Sequence, residues 1–365
     1  MLEPDTFPTA SAGVSRRTLL AGSLATGGLV LGGAAPLRAS AATSGSLPEG
    51  RGAAIVTLGT GAGPTLRHGR VGIGTGIVVD QNMYLVDCGL GITKAVVDSG
   101  LPTRNLKAVL LTHLHSDHIG ELPAFVLWNW GPQTPGPQHP YRIIGPASAR
   151  VLPHGYRPVI VPPTPGTEDT VRNMLQAYAY DINIRITDEA RPPLDELLEV
   201  SDIELPVGIG AHARGDLAPE MDPFVVYQDD AVRILAALVY HPPIFPAFGY
   251  RIETEYGVLA LSGDTAEHAN VVRLAQGADL LVHEAVNLEY YRQRDFDPVF
   301  INHLAESHTT PQEVGTVATK AGVDHVVLSH LAGVATDEQW SSWVRENYSG
   351  RVTVAADGQV FALGG

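Results

Sequence analysis

The sequence is poor in the features that mark several common function classes. A single cysteine in 365 residues rules out a disulfide framework within the chain and says little about compartment. That thiol, Cys88, closes the apolar stretch Leu85-Val86-Asp87-Cys88-Gly89 and reads as a buried, inert group rather than a nucleophile. Basic residues are scarce, 24 Lys and Arg against 39 Asp and Glu, giving a net charge of -15. Phosphate backbones are gripped mainly by Lys and Arg, so this balance makes nucleic acid an unlikely partner. The apolar runs stop short of the roughly 20 residues a spanning helix needs, so no stable membrane anchor is expected. There is no internal repeat of solenoid period. The glycines of Gly59-Thr60-Gly61-Ala62-Gly63-Pro64 lack the spacing of a dinucleotide loop, and Pro64 blocks a helix directly behind them, so a tight turn is expected. The remainder, 44% hydrophobic and 17% charged, suits a soluble globular protein of one large domain or two ordinary ones.

Against that background one stretch stands out, Leu110-Leu111-Thr112-His113-Leu114-His115-Ser116-Asp117-His118-Ile119-Gly120. It follows a short apolar strand, Ala108 to Leu111. Alternate side chains of extended backbone share a face, so His113 and His115 can point at one metal. Asp117 and His118 follow where the chain must turn, and can serve a second. Imidazole and carboxylate suit zinc, iron or manganese.

Residues 1–41 read as an export signal: Ser15-Arg16-Arg17-Thr18-Leu19-Leu20, an apolar glycine-rich stretch, then the small residues Ala39-Ser40-Ala41. This resembles a bacterial twin-arginine (Tat) signal and implies the Tat export machinery as a partner and a periplasmic or extracellular destination. A linker over 42–52 leads to a domain over 53–365. Strands are expected at Ala54–Leu58, Gly74–Val79, Met83–Asp87 and Tyr141–Ile144, with helices at Ile92–Ser99 and 146–155. Residues 167–200 read as a helical insertion over the sheet edge, with Ile182–Thr187 mixed and Pro192–Val200 helical again. Strands resume at Phe224–Tyr227, Val232–Val239, Tyr250–Thr254 and Val258–Leu261. Helix and strand then alternate: helix Ala266–Ala275, strand Leu280–Val282, helix Pro311–Ala321, strand His325–Leu328, helix Asp337–Asn347, and strands near 351–354 and 359–363. This order predicts an α/β fold of two sheets face to face with helices outside. Trp128 and Trp130 either pack in the core or form one wall of a substrate pocket.

A two-metal site needs more donors than one loop supplies, and they should lie at other strand ends. His241 follows the strand Val232–Tyr240. Asp264 stops a strand in Leu261-Ser262-Gly263-Asp264-Thr265, and His330 follows Val326-Val327-Leu328-Ser329. Each alone is ordinary, a helix cap or a hydrogen-bonded histidine. Their recurrence at one kind of place makes them candidate ligands.

With these residues in view the chain resembles the metallo-β-lactamase fold superfamily. Thr112 to His118 matches its H-x-H-x-D-H signature, and Ser262-Gly263-Asp264-Thr265 matches the segment of its bridging aspartate. Leu58 to Pro64, Gly249-Tyr250-Arg251-Ile252 and His308-Thr309-Thr310 resemble the ribonuclease Z and arylsulfatase-like branch. Tyr178-Ala179-Tyr180-Asp181-Ile182 looks more like the exported arylsulfatase-type members. The resemblance implies a four-layer αββα sandwich holding two Zn2+, with Mn2+ or Fe as alternatives. His113, His115 and His241 would hold one ion, Asp117, His118 and His330 the other, and Asp264 would bridge. It further implies catalytic roles for Asp117, orienting the nucleophile, and for His308 as general acid. His283-Glu284 is a candidate brace for His308 or a ligand.

The ribonuclease Z insertion between His241 and Asp264 is absent, and no basic, glycine-rich arm is visible. The expectation is therefore an exported dinuclear zinc hydrolase cleaving a small-molecule sulfate ester or phosphodiester. Lactone or carboxylic ester hydrolysis, or mononuclear iron dioxygenase chemistry, are alternatives, and ribonuclease Z-type processing ranks lower. A homodimer is compatible with the sequence, which fixes no oligomeric state.

Overall fold

The computed structural model describes residues 45–65, 69–128, 130–132, 134–137 and 139–364. The twin-arginine stretch and its cleavage signal lie outside the described residues. Among the described residues no helix is long and apolar enough to cross a membrane.

The first half of the chain builds β1 (Ala53–Gly59), β2 (Gly74–Val79), β3 (Asn82–Val86), helix α1 (Ile92–Ser99), β4 (Leu106–Leu110), α2 (Ser116–Ile119), α3 (Leu122–Trp128), β5 (Tyr141–Pro146), α4 (Thr167–Ala177), α5 (Ala179–Asp188) and β6 (Leu198–Ile203). The second half builds β7 (Phe224–Gln228), β8 (Arg233–Leu238), β9 (Phe248–Thr254), β10 (Gly257–Leu261), α6 (Ala269–Ala275), β11 (Leu280–Val286), α7 (Leu288–Arg292), α8 (Pro298–Ser307), α9 (Pro311–Ala321), β12 (His325–Ala332), α10 (Asp337–Arg345), β13 (Arg351–Val354) and β14 (Gln359–Leu363). The strands form two seven-stranded sheets, in the orders β14-β1-β2-β3-β4-β5-β6 and β13-β12-β11-β10-β9-β8-β7. Each sheet is antiparallel at one end and parallel at the other.

Side-chain alternation explains the layering. Ile55, Ile77, Val79, Tyr84, Val86 and Leu110 face the second sheet, against residues such as Ile234, Ala236, Phe248 and Tyr250. Their neighbours Val56, Val78, Met83, Leu85 and Val109 point the opposite way, onto Ile92 and Val96 of α1, Phe125 of α3 and Val171 of α4. Because both faces are covered, these strands read as continuous apolar runs. Each fully buried Ile, Leu or Val contributes about 1.5–3 kcal/mol relative to exposure. The helices α6, α9 and α10 cover the second sheet. The α/β fold with two sheets inside and helices outside is the one expected.

Several elements differ from the expectation. Residues 146–155 form no helix, since β5 runs through Pro146 and the backbone is irregular as far as Pro153 and Gly155. Residues 192–200 are not helical beyond one short turn at Leu194–Glu196, and Leu198–Ile203 pairs with β5 as an edge strand. The partner strand decides there, because the isolated segment has good helix formers in Leu and Glu. Residues 182–187 are fully helical, with Arg185 bonded to Asp181 one turn away at 2.9 Å. The insertion is thus two helices followed by a strand. Helices α7 and α8 were not expected.

Candidate metal centre

The carboxyl ends of β4, β8, β10 and β12 meet at one edge of the sandwich, where open α/β sheets commonly place their ligands. The two sheets are tied there by backbone. The Phe248 N–H donates to the Thr112 carbonyl at 2.9 Å, and Leu331 N–H to Thr60 at 3.0 Å. Glycine makes the close approaches feasible. A Cβ on Gly63 would lie 2.1 Å from Asp117 Cβ, and one on Gly263, whose φ is +62°, would lie 2.6 Å from the Phe248 carbonyl oxygen.

All seven residues expected at the metal site converge. Donor atoms of His113, His115 and His241 lie within 4.8 Å of one another, as do those of Asp117, His118 and His330, and those of His113, His118 and Asp264. Asp264 Oδ2 stands 3.3 Å from His118 Nε2 and 4.0 Å from the Nε2 atoms of His113 and His241. Its Oδ1 is 3.4 Å from His330 Nδ1. Two ligands about 2.1 Å from one tetrahedral ion are roughly 3.4 Å apart, so the spacing suits a carboxylate placed between two ions. Asp117 Oδ2 accepts the Gly63 N–H at 3.0 Å and lies 3.4 Å from His330 Nε2.

The chemistry of this donor set fits cations. His113 Nε2, His118 Nε2 and His330 Nδ1 are buried without a hydrogen-bond partner. Such atoms are costly unless something binds them. Five imidazoles crowd together, His113 and His118 with ring centroids 4.0 Å apart. Burial lowers the pKa of His113 and of His115 and pushes His241 down to about 3, so these rings are neutral and their lone pairs free for a metal. Burial acts against charge on His118 as well, but Asp264 and Asp87 outweigh it and raise that ring. His330 sits at φ +45°, a strained conformation for a non-glycine residue.

The opposite ring nitrogens are held by the protein, which fixes the tautomers. His241 Nδ1–H donates to the Ser307 carbonyl at 2.9 Å. His118 Nδ1 meets Asp87 Oδ2 at 2.8 Å. The Thr112 hydroxyl donates to Asp87 Oδ2 at 2.9 Å and so can accept from His113 Nδ1, 3.1 Å away. These three rings therefore direct Nε2 inward, whereas His330 turns Nδ1 toward Asp264 and His115 turns Nδ1 toward His241. Asp87 and Ser307 escape notice in the sequence. The available signal for Asp87 is a carboxylate inside an otherwise apolar strand end.

His308 lies beside the cluster, with Nδ1 2.9 Å from Glu284 Oε1, which also accepts the Thr265 N–H at 3.0 Å. Burial opposes charge on His308, but Glu284 more than offsets it and lifts the ring to about 9. Burial in turn raises the Glu284 carboxyl. His283 instead donates Nδ1–H to the Glu284 carbonyl at 2.8 Å. The cleft over the centre, about 250 Å³, is lined by His115, Asp117 and His308 and walled by Tyr291, Phe300 and Leu304. Trp130 is instead core, its Nε1–H bonded to the Pro192 carbonyl at 2.8 Å, and neither tryptophan reaches the cleft.

The chain is 31% identical over 306 residues to a ribonuclease Z of Mycobacterium bovis (strain BCG / Pasteur 1173P2), spanning 83% of this chain and 95% of that protein. Its fold is similar to that of the metallo-β-lactamase fold protein YhfI from Bacillus subtilis, with a TM-score of 0.57 at 17% identity over 85% of this chain and 99% of that one. It is similar likewise to the short form of human tRNase Z, with a TM-score of 0.55 at 22% identity over 85% and 99%. A family profile described as anti-Pycsar protein Apyc1 matches residues 53–130. The ribonuclease Z relatives overturn the expectation of a hydrolase for small sulfate esters or phosphodiesters, with its lactonase and iron dioxygenase alternatives, ranked above ribonuclease Z-type processing. That ranking leans on net charge, and a charge of -15 is an average over the whole molecule. It says little about the cleft, where cations held by the donors would supply local positive charge. With a ribonuclease Z matched over nearly its whole length, and the two-sheet fold to go with it, the chain belongs to the ribonuclease Z family of metallo-β-lactamase-fold, metal-dependent hydrolases.

Proposed function

We propose that the chain is a ribonuclease of the ribonuclease Z type, hydrolysing a phosphodiester bond in RNA. The observation that carries this reading is the meeting of seven His and Asp donors with the Glu284–His308 pair in one cleft. The family relationship supports it. His113, His115 and His241 would hold one divalent ion, and Asp117, His118 and His330 a second, with Asp264 between them. Two such ions supply Lewis acidity toward the phosphoryl oxygens and a water acidic near neutral pH. The basic arm that the sequence lacks is not needed for that contact.

The chain's own groups do the rest. Asp117, fixed by the Gly63 N–H, orients the attacking water toward phosphorus. The water, having released one proton to bulk solvent, bonds through its oxygen to phosphorus as the bond to the departing ribose oxygen breaks. That oxygen takes its proton from His308, whose Nδ1 is held by Glu284, leaving Nε2 as the donor. Glu284 keeps the ring charged beforehand and stabilises its orientation.

His308→Ala tests the assignment. The variant should keep its metal and lose about 100-fold or more in turnover on an RNA oligonucleotide. On bis(p-nitrophenyl) phosphate, whose leaving group needs no proton, the loss should stay under about tenfold. Equal losses on both substrates would remove His308 as proton donor. Failure of the metal-loaded wild type to cut any RNA would overturn the ribonuclease reading itself.

A further inference from the structure

Between β11 and His308 the chain places an aromatic cluster that neither the ligands nor the proton donor requires. Tyr291 of α7 meets Phe296 edge-on at 5.0 Å between ring centroids and Phe300 of α8 at 5.7 Å. Phe296 and Phe300 lie 5.8 Å apart with planes tilted by 30°. Tyr291 is buried, yet Phe296 and Phe300 are each 40% exposed. Exposed rings gathered in one patch mark a binding surface more often than scattered ones do.

The patch is continuous with the metal centre. Tyr291 and Phe300 line the same cleft of about 250 Å³ as Asp117, Asp264 and His308. Phe300, His303 and Leu304 follow each other at i, i+3 and i+4 on α8, so one helix face looks into the cleft. The helix start is fixed by Asp297, whose side chain accepts the Val299 N–H at 2.8 Å, and by Pro298. Phe300 is therefore presented by a rigid element. A ligand held at the donors shares this cleft with the ring, and an exposed aromatic face can stack a planar base.

We propose that Phe300, braced by Tyr291 and Phe296, is a stacking platform for the nucleobase next to the scissile phosphate. The proposal deepens the ribonuclease reading and rests on it. A base stacked on protein has left its own helix, so the platform selects RNA that is unpaired at the cut. The cleft is near the lower end of ligand-pocket sizes, which suits one nucleotide rather than a duplex.

The test titrates the metal-loaded protein with adenosine 5′-monophosphate and with ribose 5-phosphate, and measures cleavage of an RNA oligonucleotide with and without the base at the cut. Wild type should bind the nucleotide about 5- to 100-fold more tightly than the sugar phosphate. Phe300→Ala should erase that advantage while sugar-phosphate affinity stays within about twofold, and Phe300→Trp should retain it. Phe300→Leu, which keeps apolar bulk without a π-face, should behave like the alanine variant, with folding of each variant checked by its melting temperature. In kinetics KM should rise on the base-bearing RNA only. Equal affinity of wild type for both ligands, or an advantage that survives Phe300→Ala, overturns the platform. So does self-association that Phe296→Ala and Phe300→Ala abolish without changing base preference, which would assign the rings to a second copy. If wild type cuts no RNA yet shows a Phe300-dependent nucleotide preference, the ribonuclease reading fails and the platform stands.

Discussion

Asp87 accepts the Thr112 N–H at 2.8 Å and the Thr112 hydroxyl at 2.9 Å, and its Oδ2 faces His118 Nδ1 at 2.8 Å. It does this at φ +61°, a conformation asparagine also tolerates. Asp87→Asn should therefore leave the backbone in place and remove the charge that makes His118 a strong donor. Loss of such a bracing carboxylate costs about 10- to 100-fold in metal affinity, measurable by zinc titration against a competing chelator. An unchanged affinity would mean that His118 needs no brace. The His113–His118 run is legible from sequence because its members lie in one loop, and a strand's alternation is enough to orient two of them. His241, Asp264 and His330 are legible because each lies close to the carboxyl end of an apolar strand: the first two just beyond β8 and β10, and His330 among the last residues of β12. Asp87, Ser307 and Phe300 are not, because each acts across a distance in sequence: Asp87 on His118, Ser307 on His241, and Phe300 on a cleft whose other walls come from six further segments.

Strand β12 begins at His325 and carries the donor His330 near its carboxyl end, two residues before Ala332. His325 Nε2 bonds the Thr353 hydroxyl of β13 at 2.9 Å, and burial together with nearby Arg351 lowers its pKa to about 4. The folded value lies below the ordinary one near 6.5, so the neutral ring's contribution is present in full above that value. It is lost as pH falls from about 6.5 toward 4, where protonation favours the unfolded chain. Metal-free protein should then lose on the order of 1–3 kcal/mol over that window by denaturant titration, and His325→Gln should flatten the dependence. A variant with the same acid slope would place the effect elsewhere. Strands are the elements the sequence reveals most readily, since apolar runs bounded by turns match β1, β2 and β8 closely. Helices α1 and α9 are equally plain. β6 is hidden because its partner β5, not its own propensity, makes it a strand. Helices α7 and α8 are hidden because their aromatic residues face the cleft and one another rather than forming a stripe against the core.

The donors come from both sheets, four from the loop after β4 and three from the ends of β8, β10 and β12. Cations held there would act as a clasp across the sandwich. Binding to the folded state alone stabilises by about 2.7 kcal/mol when free metal is 100-fold above its Kd. Chelator-treated protein should accordingly melt several degrees lower than zinc-loaded protein, and added zinc should restore both melting temperature and turnover. A melting temperature indifferent to chelator would show that the sheets hold together without the ions.

The pairing of β14 with β1, Ala53 opposite Leu363 and Thr57 opposite Gln359, has a consequence in time. During synthesis the outer edge of β1 stays open until about 300 further residues have followed it out of the ribosome. Until then β1 presents a fully buried-type apolar strand with no neighbour on one side, the kind of edge that recruits other chains. Closure of this sheet thus waits for β14, and nascent chains are at greatest risk just before that strand arrives.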